Sequence, residues 1–358
     1  MAPRIDSFLR LVTDQRASDL HFHAGTVPTI RHDGQLIPLP FRAVSAEETK
    51  RFLYEILTAA QREAFEASFD LDFAYAIEGV ARFRVNLTMG SRGMSAVFRV
   101  IPGRIATIDE LGLPRVLKRL AALQNGLVLV CGPTGSGKST TLASIVHEIN
   151  RTSERHVITI EDPIEYLHRP LKSLITQREI GVHTESYASA LRAALRESPD
   201  VIVVGELRDV ETVQLALSAA ETGTLVFATL HTNSAAKSID RIVDLCPEEQ
   251  QQPARMSLSM LLRGVVGQHL LPRATGDGMI AANEVLLPSI ALSHMIRENK
   301  IHHVDAHIQQ ADLDGSGVQS LEGVLLRYVQ QGLVEAEEAA PLSRNPESIL
   351  KATLRTAD

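Results

Sequence analysis

The sequence predicts an α/β protein in two parts: a small α+β domain over residues 1–101 and a larger domain built on a parallel sheet. Three observations carry that expectation. Apolar runs recur at 127–131, 156–160, 201–204 and 225–230, helical stretches at 138–150, 186–197 and 209–221 separate them, and a Gly-rich turn follows the first run at once. Strands covered on both faces lose the polar alternation of half-exposed strands and read as unbroken Val, Ile and Leu.

Taken in order, Ile5, Phe8, Leu9, Leu11 and Val12 fall at helical spacing, and Asp19-Leu-His-Phe-His then alternates as a strand does. Ser45-Ala-Glu-Glu opens an amphipathic helix with a capping pattern. Residues 70–76, 80–87 and 94–101 read as strands parted by glycines, which completes the first domain. Pro102-Gly103 and Gly112-Leu-Pro114 bracket an expected interdomain linker, 102–114, because Gly and Pro interrupt regular structure. A helix at 115–124 leads into the parallel-sheet domain, expected over 115–272, and a mainly helical region is expected over 273–358.

The composition narrows the function. Thirty-six basic against 43 acidic residues give a net charge of −7, and only 4% of the residues are aromatic, a poor basis for gripping a phosphate backbone or stacking bases, so nucleic acid is not the expected partner. Cys131 and Cys246 supply neither a disulfide framework nor a four-thiolate zinc site and suggest a reducing, cytoplasmic setting. No run approaches the ~20 apolar residues of a membrane span.

Gly132-Pro133-Thr134-Gly135-Ser136-Gly137-Lys138-Ser139-Thr140 matches the phosphate-binding loop, whose backbone N–H groups and helix N-terminus surround phosphates. Lys138 would reach the β- and γ-phosphates of ATP, and the Ser139 hydroxyl would bind Mg²⁺. The second strand runs into Thr159-Ile-Glu161-Asp162-Pro163-Ile-Glu165, which places three carboxylates at the ligand edge of a parallel sheet; one could polarise an attacking water. The third strand delivers Glu206 from Val201-Ile-Val-Val-Gly-Glu, a Walker B-like position suited to Mg²⁺. Arg82 and Arg84 alternate with Phe83 and Val85, so both leave one strand face, and Arg99 lies on the next strand. Guanidinium groups suit the charge that develops on a transferring phosphoryl group.

The ordered segments GPTGSGKST, TIEDPIEY, GELRD and ATLHT resemble the secretion ATPase superfamily of type II secretion and type IV pili, and within it the PilT retraction ATPases. ASDLHFHAG, GVARFRVN, AVFRVIP, ALRAALRESPDVIVVGELRD, SAAKSIDRIVD and GVQSLEGVL extend the resemblance over nearly the whole chain. It implies an N-terminal PAS-like domain and a RecA-like P-loop ATPase core assembled as a homo-hexamer. By the same resemblance Glu165 is the catalytic base supported by Asp162, Glu206 the Walker B acid, and His231 the residue that senses the γ-phosphate. Arg84 and Arg99, then Arg82, would serve the nucleotide. ATP and Mg²⁺ are the implied cofactors, and pilus retraction, hence twitching motility, is the implied output. The implied partners are an inner-membrane pilus platform protein and a paralogous retraction ATPase, met at the cytoplasmic face of the inner membrane.

Two positions depart from the family pattern. Thr224 stands where a histidine usually follows the glycine of AETG, and Ser293 replaces the first arginine of a motif close to AIRNLIRE. These departures keep a PilU-like accessory ATPase as the alternative. An assembly or secretion ATPase is less well matched, since those relatives commonly carry a tetracysteine zinc motif. His21 and His23, and His302, His303 and His307, lack the carboxylates or thiols of a metal site and are expected to be solvated or at interfaces. Asp312-Leu-Asp-Gly-Ser-Gly begins like a calcium loop, but Gly323 stands where a bidentate Glu is required, so a polar turn is expected there.

Overall fold

Helix α1 (Asp6–Asp14) forms where Phe8, Leu9 and Val12 recur at helical spacing, and all three are buried. The structure, a computed structural model, describes residues 3–32, 34–101, 103–312 and 316–352. The chain divides into two units, Met1–Arg104 with Pro163–Leu167, and Ile105–Asp162 with His168–Asp358.

In the first unit, α1 is followed by β1 (Asp19–His23), β2 (Thr29–His32), β3 (Gln35–Pro38), α2 (Ala46–Tyr54), α3 (Ala59–Ser68), β4 (Asp70–Ile77), β5 (Ala81–Gly90) and β6 (Gly93–Ile101). The six strands make one antiparallel sheet in the order β3-β2-β1-β6-β5-β4. Ser45 and Glu48 close a capping box at α2, and Thr58 and Gln61 close a second at α3. Phe22, Phe65, Phe83 and Phe98 are fully buried and fill the core. Because strand side chains alternate, Phe83, Val85 and Leu87 point into that core while Arg82 and Arg84 occupy the opposite face of β5.

The second unit comprises α4 (Val116–Ala121), β7 (Gly126–Cys131), α5 (Lys138–Thr152), β8 (His156–Glu161), β9 (Leu174–Glu179), α6 (Tyr187–Ala194), β10 (Val201–Val204), α7 (Val210–Glu221) and β11 (Leu225–Leu230). It continues through α8 (Ala235–Asp244), α9 (Glu248–Leu261), β12 (Leu262–Pro272), β13 (Met279–Leu286), α10 (Ile290–Arg297), α11 (Val304–Ala311), α12 (Leu321–Gln330), α13 (Ala336–Ala339) and α14 (Pro346–Ala352). Its sheet has the order β13-β12-β7-β11-β10-β8-β9 and is parallel except between β12 and β13. Every residue of β7 is buried: Leu127, Leu129 and Cys131 join the apolar cluster on one face, Val128 and Val130 the cluster on the other. That two-sided burial is why β7, β10 and β11 read as unbroken apolar runs.

The structure adds to the sequence reading in three places. Residues 105–114 are not a free spacer, since Ile108 is fully buried and Leu113 nearly so, both in the second unit's core; Pro102 lies outside the described residues. Sheet structure continues past residue 272, because β13 pairs with β12 from Val265–Leu286 to Pro272–Met279 before helices take over. Asn283 and Glu284 break the apolar pattern of β13 although both are buried. The edge strands β3 and β9 were also unannounced; β3 is exposed throughout and carries no burial pattern to read. In the expected turn at 312–317, Asp312 Oδ2 accepts hydrogen bonds from the amide and hydroxyl of Ser320 at the start of α12, while residues 313–315 lie outside the described residues.

Candidate nucleotide site

Strand β7 is held between β11 and β12 and delivers the chain directly into the Gly-rich loop. Gly132 has φ +152°, and a Cβ there would stand 2.3 Å from the Gln268 carbonyl oxygen and 2.5 Å from Ser136 Oγ, so no larger residue fits this turn. The loop ends at Gly137, and α5 starts at Lys138 with no side chain capping its N-terminus. Lys138 is buried; its Nζ donates to the carbonyls of Gly132 at 2.8 Å and Pro133 at 3.0 Å, while Ser139 is exposed. Ser136 Oγ is buried without a hydrogen-bond partner. A fifteen-residue helix with an uncapped N-terminus, an ammonium group and an orphaned hydroxyl form a donor set that fits a phosphate anion.

Parallel pairing places the ends of β8, β10 and β11 side by side, and those ends carry Asp162, Glu206 and His231. Arg208 joins them. Its Nε donates to Glu206 Oε2 at 2.6 Å, its Nη1 lies 4.0 Å from Asp162 Oδ2, and His231 Nε2 stands 3.5 Å from the same Glu206 oxygen. Beside this group, burial and then the Asp162 carboxylate push the Tyr187 phenol well above its ordinary value. Glu161 is anchored instead, accepting from Thr159 Oγ1 at 2.6 Å and Gln177 Nε2 at 3.1 Å.

The remaining expected site residues belong to the first unit. Arg84 and Arg99 are register partners on β5 and β6. Arg84 Nη1 lies 3.5 Å from Glu165 Oε1, whereas Arg99 Nε donates to the buried Asp19 at 2.9 Å. Arg82 shares the strand face of Arg84. Thus Glu165 gathers with Arg84 in one unit, and Asp162, Glu206 and His231 gather around Arg208 in the other. Arg208, Tyr187 and Gln268 escaped the sequence reading. For Arg208 there was a signal, a charge two residues beyond the strand-end acid; for the other two only the tertiary structure tells.

Of the departures, Thr224 is buried just before β11, at the end opposite His231, and its amide donates to Ala219 O at 3.0 Å. Ser293 turns toward α9, its hydroxyl donating to Ser259 O at 2.9 Å. Among the described residues no group of three or more His, Cys, Asp or Glu could hold a metal ion; His307 Nε2 instead meets Ser289 Oγ at 3.1 Å.

The fold and the loop define a P-loop nucleotide-binding protein with a parallel, RecA-like sheet. The chain belongs to the type II/IV secretion system protein family, whose profile matches residues 1–327. It is 45% identical, over 96% of its length and 99% of the relative's, to the type IV pilus retraction ATPase PilT of Pseudomonas aeruginosa. The type IV pilus ATPase PilU of the same organism is 36% identical over 93% of this chain and 87% of that protein. A crystal structure of the pilus retraction motor PilT with bound ADP superposes with a TM-score of 0.89, at 42% identity, covering 98% of this chain and 100% of that one. Among the described residues no helix is long and apolar enough to cross a membrane.

Proposed function

We propose that this chain is a motor ATPase that hydrolyses ATP, as a homo-hexamer with Mg²⁺, to drive type IV pilus retraction. The observation that carries the reading is the near full-length match to PilT, which spans the loop, the strand-end acids and the first unit alike. Bound Mg²⁺ would neutralise charge on the β- and γ-phosphates. Lys138 and the uncapped start of α5 hold the phosphates of ATP, with Gly132 to Thr140 forming the cradle, and Ser139 and Glu206 are the residues that would hold the metal. Arg208 keeps the Glu206 carboxylate in place. His231, within reach of the same carboxylate, takes the sensor role.

Glu165 is assigned as the base that removes a proton from the attacking water. Its ion pair with Arg84, 3.5 Å away, orients the carboxylate. Arg84, paired with Glu165, and Arg99, paired with Asp19, are both candidates for contact with phosphate, with Arg82 next. The partners proposed for the assembled ring are the pilus platform protein and a paralogous ATPase. A PilU-like accessory role is the second reading, favoured by Thr224 and Ser293; against it, Thr224 sits at the far end of β11 from His231.

Steady-state ATP hydrolysis with Mg²⁺ tests the reading on the wild type beside Glu165→Gln. Turnover by the wild type, with a variant that binds ATP and does not turn over, supports a motor with Glu165 as base. Absence of turnover in both supports the accessory subunit.

A further inference from the structure

Gln268 on β12 is buried at 2% exposure, and all of its side-chain polar groups are spent on one neighbourhood. Its Nε2 donates to the Ser136 carbonyl inside the Gly-rich loop at 2.6 Å. Its Oε1 accepts from Thr141 Oγ1 on α5 at 2.7 Å and from Asn283 Nδ2 on β13 at 2.9 Å. Because a trans peptide is planar, holding the Ser136 C=O also fixes the following Gly137 N–H on the opposite side, pointing away from Gln268. The next rung of the hairpin pairs Gly267 with Glu284, whose Oε2 accepts from the Ala235 amide at 2.6 Å where α8 begins, four residues after His231.

We propose that Gln268 is a positioning residue for phosphate binding: it sets the loop's amides from the β12–β13 hairpin, 132 residues beyond Ser136 along the chain. The inference rests on the ATPase reading. A positioning residue that orders the site equally for bound substrate and transition state affects affinity more than turnover.

The test compares Gln268→Met, which removes the donor and the acceptor, with Thr141→Val, which removes one hydrogen bond to the same side chain but leaves Nε2 on Ser136. Hydrolysis of ATP and binding of a fluorescent ADP analogue are measured on each purified chain. Gln268→Met is expected to raise KM and the ADP Kd about tenfold with kcat within about threefold, whereas Thr141→Val stays within about threefold of wild type in both affinities. An unchanged ADP Kd in Gln268→Met, or equal losses in the two variants, overturns the proposal. Should Gln268→Met fail to fold, the near-isosteric Gln268→Glu decides. Its carboxylate cannot donate to Ser136, but a buried carboxyl takes up its proton readily and regains a donor, so its ADP Kd should fall toward wild type from pH 8 to pH 6. A Kd in that variant that moves away from wild type over the same range, with the wild type measured at each pH, also overturns it. A wild-type chain that binds no ADP sinks the ATPase reading itself, a different outcome from any variant effect.

Discussion

Replacing Gly132 by Ala tests the claim that the loop is built by close backbone approach. The new Cβ would meet Gln268 O at 2.3 Å and Ser136 Oγ at 2.5 Å, where ordinary contact begins at 3.4 Å. The serine hydroxyl can rotate away; the strand carbonyl cannot, so loop or strand must move by about 1 Å, an overpacking cost of about 1–3 kcal/mol. Holding a non-glycine residue at φ +152° adds about 1–3 kcal/mol. A loss near 4 kcal/mol corresponds to a fall in Tm of roughly 8–16 °C for a domain of about 250 residues. Gly135→Ala is the control: its φ of +81° is strained, but nothing lies within 4 Å of the added Cβ, so about 1–2 kcal/mol and a fall of roughly 2–8 °C are expected. Differential scanning calorimetry of the nucleotide-free chains gives the comparison. Equal shifts in the two variants would refute the close-approach argument.

Arg208→Met is expected to lower kcat for ATP at least about tenfold by releasing Glu206 from its 2.6 Å donor. Arg208→Lys should restore only part of it, because an ammonium group cannot hold Glu206 and Asp162 in one planar fork; full activity in the methionine variant refutes the role. Glu284 is a different kind of probe. Burial raises its pKa, with the Ala235 N–H opposing, so the folded chain keeps this proton to a higher pH than the unfolded chain does. Its contribution is therefore fully present below the unfolded value and is lost as pH rises through the raised one. Glu284→Gln keeps an acceptor for Ala235 without the buried charge, so the variant's Tm should gain on wild type as pH rises from the ordinary glutamate value through the raised one and level off above it. A Tm difference that stays constant with pH would contradict this.

Much of the fold was legible because its signals are local. The β7, β10 and β11 runs, the Ser45 capping box and the nine-residue loop each declare themselves within a few neighbours, and the loop's chemistry is mostly its own backbone amides. The strand β13 was hidden because hydropathy counts Asn283 and Glu284 as surface residues, whereas Asn283 binds Gln268 and Glu284 caps α8. The packing of 105–114 was hidden for the converse reason: glycine and proline at its ends drew attention from Ile108, which is fully buried.

The sequence by itself determined that a phosphate-binding loop follows a buried strand, and which acids leave the neighbouring strand ends. Only the tertiary structure decided which groups hold those residues in place: Arg208 between Glu206 and Asp162, Glu165 beside Arg84, Arg99 taken by Asp19, and Gln268 on the Ser136 carbonyl. The reason is physical. A backbone cradle is specified by contiguous residues, whereas a side-chain hydrogen bond is specified by where two distant segments meet, and that meeting is fixed by sheet order and register.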